Sequence, residues 1–344
     1  MILFKEPPLL TPPQLASRFQ GLTTAFHIGS YVRKLSISLT NLNVEEETTL
    51  SSVFDCLVNL TALKVFYLKE DVHLYSGLIF ACCRRTSLRG LHIEEANLDL
   101  TVGPTDPGES ALEPSFVDHL VNAILMTPGL CLEAFVHIAS LPLHPSTFTA
   151  LRARATHLQK IVFRTSIMSN LRVLFNQPTR WASAWTLKQL VIRTCSGVHH
   201  CALAAHVANG IFGQLQRLGV IRSGYNDDVL FEAMNKPPTW TIGVLKRLDI
   251  DHADEWEVKA LSIIHVQEIH ATRVFTIALI NALNAGGWPG LRTVHTLSNV
   301  PGLLFLRLKQ ACDARRISLS TDAVPHGDCD CHEPPLARNT NESG

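Results

Sequence analysis

One six-residue pattern, aliphatic-x-x-aliphatic-x-aliphatic, recurs along almost the whole chain and constrains it more than any other feature. The clearest copies are Leu187, Leu190 and Ile192, then Leu215, Leu218 and Val220, then Leu245, Leu248 and Ile250. Leu88, Leu91 and Ile93 repeat it upstream, as do Val32, Leu35 and Ile37. Apolar and polar residues alternate in each copy, which predicts a short strand burying one face. Helix-like stretches separate the copies, which recur every roughly 20–30 residues. A unit this small cannot bury its apolar face alone, so the copies must stack side by side.

Laid along the sequence, the first position of the pattern falls at Val32, Leu63, Leu88, Leu132, Leu158, Leu187, Leu215 and Leu245, with weaker copies from Val266, Leu291 and Ala314. About ten copies at this spacing predict a leucine-rich repeat solenoid. That is an α/β fold curved as a horseshoe, with a parallel sheet on the concave face and helices on the convex face. Eight residues after most first positions stands a small or hydrogen-bonding residue, such as Thr40, Ser140, Cys195 or Ala253. Such residues suit an inward turn whose backbone groups need partners without bulk. The copies at Leu63 and Val266, followed by Asp71 and Val274, fit less well. The interval from Leu88 to Leu132 is too long for one repeat, and its Pro-, Gly- and acid-rich stretch at 101–115 reads as an inserted surface loop. Between strands, 44–58, 116–126 and 227–234 space their apolar residues as helices do. Asn226 and Asp254 are N-cap candidates, and Pro128, Pro178 and Pro237 stand where helices should stop.

With 46% hydrophobic and 17% charged residues, the 344-residue chain is too apolar to be disordered overall. Lys plus Arg balance Asp plus Glu at 30 each, so net charge favours neither nucleic acid nor an anionic membrane as partner. Nine cysteines, most in apolar stretches (Cys56, Cys82, Cys83, Cys131, Cys201), argue against a disulfide framework and for the reducing cytoplasm or nucleus. The first residues lack the basic start and cleavage site of a signal peptide. No apolar stretch approaches the about 20 residues that span a bilayer, so no membrane partner is expected.

The sequence contains no Gly-rich phosphate loop, no G-x-S-x-G and no H-E-x-x-H. No enzymatic activity, cofactor or metal is expected. His326, Cys329, Cys331 and His332 form a cluster of soft ligands, but their spacing is tighter than that of paired zinc ligands. The surrounding tail, 321–344, reads as disordered. His199, His200, Cys201 and His206 fit an ordinary repeat helix. The carboxylate pairs Glu94–Glu95 and Asp227–Asp228 lack the enclosure that separates catalytic pKa values. The binding candidates are instead the residues between the buried aliphatics of each strand, which alternation puts on the concave wall. They are Tyr67, Lys69, His92, Glu94, Lys160, Arg164, Gln189, Arg193, Arg217, Arg247, Asp249, Asp251, Glu268 and His270. Basic residues gather toward the middle, and acidic ones stand at Asp249 and Asp251.

The repeat register, together with Arg18–Ile37 (RFQGLTTAFHIGSYVRKLSI), resembles fungal F-box/leucine-rich-repeat-like proteins over about residues 19–320. In that family an N-terminal F-box docks to the adaptor subunit of a cullin–RING ubiquitin ligase, and the repeats hold a substrate. Here residues 1–30 read as an N-terminal cap or remnant, too short before Tyr31 for an F-box. Residues 31–320 are the repeat domain, and 321–344 the tail. The resemblance implies a non-enzymatic module for protein–protein recognition on the concave face. An F-box upstream would add a ubiquitin-ligase adaptor subunit as partner; the alternative is a ligase-independent repeat scaffold or regulator of a partner protein.

Three buried aliphatic side chains per strand contribute roughly 5–8 kcal/mol of gross burial, and ordering a repeat costs a similar or larger amount. Stacking therefore decides stability. Leu190→Asp should unfold several repeats, whereas Arg193→Ala should leave the melting temperature nearly unchanged; equal melting shifts would refute this register.

Overall fold

A computed structural model describes residues 31–39, 48, 52–67, 82, 86–95, 114–140, 143–165, 186–194, 214–222, 245–251, 253, 255–272, 274, 276–296 and 300–321, excepting the side chains at 165, 193, 194, 220–222, 251, 256, 257, 260 and 272. The repeated pattern forms strands β1 (Lys34–Leu39), β2 (Ala62–Tyr67), β3 (Gly90–Glu95), β4 (Ala134–Ala139), β5 (Lys160–Thr165), β6 (Gln189–Thr194), β7 (Arg217–Arg222), β8 (Leu245–Asp251), β9 (Val266–Thr272), β10 (Thr293–Thr296) and β11 (Ser318–Ser320). The described helices are α1 (Phe116–Leu125) and α2 (Pro145–Arg154) on either side of β4, then α3 (Glu255–Leu261), α4 (Thr276–Asn284) and α5 (Gly302–Ala314) after β8, β9 and β10. The strands make one open, all-parallel sheet in strict chain order, an α/β architecture. Among the described residues no helix is long and apolar enough to cross a membrane.

The aliphatics of successive copies line up across the strands. One row reads Leu35, Leu63, Leu91, Phe135, Ile161, Leu190, Leu218, Leu248, Ile269, Val294 and Leu319. A second row two residues on includes Ile37, Val65, Ile93, Phe163, Ile192 and Ile250. Ahead of the strands, Leu60, Leu88, Leu132, Leu158, Leu187, Leu215 and Leu245 are buried in the same cluster. Because side chains alternate along a strand, the two strand rows belong to one face of the sheet.

Backbone bonds fix the stacking as strongly as burial does. The amides of Thr61 and Ala62 both donate to the Arg33 carbonyl, and those of Arg89 and Gly90 both donate to Thr61. The same two-to-one bond repeats from Glu133 and Ala134 to Arg89, from Gln159 and Lys160 to Glu133, and onward to Lys246 and Arg247 on Gln216. Just ahead of two strands, the hydroxyl of Ser87 donates to Leu60 O at 2.8 Å and that of Thr186 to Leu158 O at 2.8 Å. Carbonyls at the entry of each repeat, which an open turn would orphan, thus find donors in the next one.

Two sequence assignments need correction. Leu63 pairs with Leu35, so the second copy starts at Leu60 rather than Leu63. Leu319 pairs with Val294, so the last copy is offset from a start at Ala314. The predicted helix at 116–126 is found as α1. Ser115 caps it, with its side chain accepting from Asp118 N while the Asp118 carboxylate accepts from Ser115 N. The other Asp118 oxygen accepts from His144 N at 2.7 Å, tying α1 to the start of α2. Of the 44–58 helix, Ser52–Cys56 are helical. The 227–234 helix, Asn226, Asp254, Pro178 and Pro237 lie outside the described residues, as do the 101–113 part of the inserted loop, residues 1–30 and the tail after Thr321. Cys56, Cys82 and Cys131 are free thiols, the first two buried.

The second core row contains a histidine. His137 pairs with Ile93 and Phe163 and is 2% exposed, its ring stacked near Phe135. Its Nδ1 has no hydrogen-bond partner among the described residues. Burial pushes its pKa down to about 4, against the attraction of Asp118 and with the repulsion of His92. The unfolded chain therefore takes up this proton first. The histidine's contribution is complete above about pH 6.5 and is lost progressively as pH falls toward 4, by up to roughly 3 kcal/mol. His137→Leu should raise the melting temperature at pH 5 more than at pH 7.5; thermal melts showing the same gain at both would contradict this.

Candidate functional site

The face of the sheet opposite the core carries the remaining side chains in three cross-strand rows. The first row runs Lys34, Ala62, Gly90, Ala134, Lys160, Gln189, Arg217, Arg247, Glu268, Thr293 and Ser318. The middle row runs Ser36, Lys64, His92, Val136, Val162, Val191, Gly219, Asp249, His270, His295 and Ser320. The third contains Ser38, Phe66, Glu94, Ile138 and Arg164, and its register continues along the backbone through positions 193, 221 and 251.

Most candidates from the sequence fall on this face: His92, Glu94, Lys160, Arg164, Gln189, Arg217, Arg247, Asp249, Glu268 and His270. Arg193 and Asp251 occupy backbone positions in its third row, and Lys69 lies outside the described residues. Tyr67 does not belong here. It is buried in the core cluster with Leu63 and Val65, and burial raises its phenol pKa far above the ordinary value, with Glu95 and Asp118 adding to the shift. The cause is the misplaced start at Leu63: an offset of three residues, being odd, exchanges the two faces of a strand. The residues that β2 presents here are Ala62, Lys64 and Phe66.

Charges on this face are paired between neighbouring strands. At one end, Lys64 Nζ lies 2.9 Å and His92 Nε2 3.1 Å from Glu94 Oε2, and the Lys64 ammonium sits 4.2 Å from the Phe66 ring centroid. Burial alone would raise the Glu94 pKa. The bonds and charges of His92 and Lys64 outweigh it and hold the carboxyl down at about 2. Glu95 points the other way and accepts from the Ser140 amide at 2.6 Å and from its hydroxyl. The two carboxylates therefore form no acid/base pair. At Ser140, one of the residues at the eighth position, the backbone amide finds its partner in the Glu95 carboxylate on β3.

The centre is apolar. Val136, Ile138 and Val162 form a second buried cluster, separate from the main core, with the partly buried Val191 against it. A Cβ at Gly219 would come within 2.9 Å of Val191 Cγ1, so glycine leaves the room into which that valine leans. Beside the cluster, Arg164 Nε is buried with no hydrogen-bond partner among the described residues. Sequence reasoning passed over these valines because it sought polar residues; their place between buried positions was the available signal.

Toward the C-terminal strands, Asp249 accepts from Arg217 Nε and Arg247 Nε, both at 2.7 Å. The acidic end expected around Asp249 is thus neutralised by two guanidinium groups. Next to it, Glu268 contacts His270 Nε2 and lies 3.4 Å from His295 Nε2. The rings of His270 and His295 stack with centroids 4.3 Å apart. Burial lowers the His270 pKa below the ordinary imidazole value, opposed by the hydrogen bond to Glu268 and reinforced by the charge of Arg247. His295 was not singled out in the sequence, although its copy, starting at Leu291, was. The His/Cys tail cluster, the group at 199–206 and Asp227–Asp228 lie outside the described residues.

Asp249→Asn should leave two part-buried cations facing a neutral amide and cost about 1–3 kcal/mol. Glu133→Gln, which removes a half-exposed contact 3.8 Å from Arg89 Nε, should cost no more than about 1 kcal/mol. Denaturant melts of the two variants compare them, and a larger loss for Glu133→Gln would overturn the ranking. Compared with known proteins, the chain matches no family model and no curated protein.

Proposed function

We propose that the chain is a leucine-rich repeat solenoid that recognises a protein partner, without catalysis, on the concave face of its sheet. One observation carries this reading: the face opposite the core has an apolar centre of its own, Val136, Ile138, Val162 and Val191, between the charged groups around Glu94 and Asp249. Val136, Ile138 and Val162 are 3–6% exposed, so Val191 and the charged groups around it form the accessible part of this recognition surface, an apolar centre within a polar surround. Arg164 beside it offers a buried donor without a partner among the described residues, and an acceptor from the bound chain would relieve that cost. The preferred partner therefore presents an aliphatic side chain next to a carboxylate or backbone carbonyl.

The resemblance to F-box/leucine-rich-repeat-like proteins extends the proposal. In that reading this surface is the substrate-binding part of an adaptor for a cullin–RING ubiquitin ligase, acting in the cytoplasm or nucleus. The alternative is a repeat scaffold that regulates its partner without a ligase. Affinity purification with wild type, Val191→Asp and Arg164→Glu tests the surface. A protein retained by wild type and lost at least tenfold from both variants, with melting temperatures unchanged, supports it; equal recovery by all three refutes it. Reproducible co-purification of a cullin adaptor favours the ligase role, and its consistent absence favours the scaffold.

A further inference from the structure

We propose that Glu268, His270 and His295 bind one divalent late transition-metal ion, zinc by preference, on the sheet face opposite the core. Three donor atoms from these residues, one carboxylate oxygen and two imidazole nitrogens, lie within 4.8 Å of one another. The fold places them without any special loop. Glu268 and His270 are two residues apart on β9 and so share a face, and His295 is the register partner of His270 on β10. The separation of 3.4 Å between His295 Nε2 and Glu268 Oε1 is close to the roughly 3.3 Å edge of a tetrahedron with metal–ligand bonds of about 2.0–2.1 Å.

The donor set has the right chemistry. Two imidazoles and one carboxylate suit zinc and its neighbours better than calcium or magnesium, which take oxygen ligands. The side chains are partly withdrawn from water, His270 being 10% and His295 24% exposed. Glu268 and His270 touch more closely than two ligands of one ion do, so their side chains must part slightly to admit it. Asp249 is not a fourth ligand, because each of its oxygens accepts from an arginine. That leaves a three-ligand site with a coordination position for water or a group from outside the chain.

Two features limit its strength. Arg247 is the register neighbour of Glu268 and adds positive charge. His270 Nδ1 is buried with no partner among the described residues, whereas a ligating imidazole usually donates its other N–H to an acceptor. Lack of that acceptor weakens a site by about 10–100-fold. Affinity therefore falls below that of closed four-ligand structural sites.

The test uses the full chain, stripped with a chelator and titrated with Zn²⁺ by calorimetry and with Co²⁺ by absorption. Wild type should take one equivalent at this site, and its cobalt spectrum should show d–d bands without the thiolate charge-transfer band of a cysteine site. Glu268→Gln and His295→Ala should each weaken binding by at least about tenfold, with metal-free circular dichroism and melting unchanged. His295→Gln replaces His295→Ala where the latter loses its fold. Cys329→Ser with Cys331→Ser should retain the equivalent. No uptake by wild type, uptake unaffected by the Glu268 and His295 variants, or uptake lost only in the cysteine variant would overturn the site. None of these outcomes depends on partner recognition, so the two proposals fail separately.

Discussion

Everything in this molecule depends on adjacent repeats meeting in a fixed register. Two amides at the entry of each strand from β2 to β8 share one carbonyl just ahead of the strand before, and behind that bond the aliphatic rows close. Neither element suffices alone. The hydrogen bonds fix which residue faces which but contribute modestly net, while burial supplies the drive but has no direction. Together they tie the identity of each side chain's neighbours, on both faces, to its place in a six-residue pattern.

The sheet face opposite the core shows the consequence. Parallel strands sit about 4.8 Å apart, so a charge in one row comes within reach of opposite charges on the next strand. Glu94 lies between Lys64 and His92, and Asp249 between Arg217 and Arg247. These groups are compensated pairwise, which makes the face far less polar in effect than its composition suggests. Among the described residues, the valine and isoleucine cluster in the middle, the Arg164 Nε without a hydrogen-bond partner and the imidazole–carboxylate group at β9 and β10 stand apart from this compensation.

The strands were readable from the sequence because their signal is strong and periodic. The copies from Leu187, Leu215 and Leu245 are found where the pattern puts them, and the α/β class and parallel sheet follow. The first misreading came where two apolar series compete. In the stretch from Leu60 to Leu68, a start at Leu60 gives Leu60, Leu63 and Val65, and a start at Leu63 gives Leu63, Phe66 and Leu68. The two apolar series overlap, and pairing with β1 selects the start at Leu60. The poor fit of Asp71 at the eighth position was the visible symptom. Binding candidates suffered from a different bias: searching for polar residues excluded Val136, Val162 and Val191. His295, on the short β10, shows its meaning only beside His270, a relation between strands that no single copy contains. His137 shows the converse, a polar residue in an apolar row that alternation alone would have assigned to the core.

The pairing of Gly90 with Ala134 holds a broader lesson. Neighbouring strands here are joined by a connection much longer than the others, yet their spacing and register match those of strands joined by short ones. Connection length is thus a free variable, whereas parity within a strand is not. Whole segments can be spliced between repeats during evolution without disturbing the array, but one residue gained or lost between Leu88 and Ile93 would turn that strand inside out.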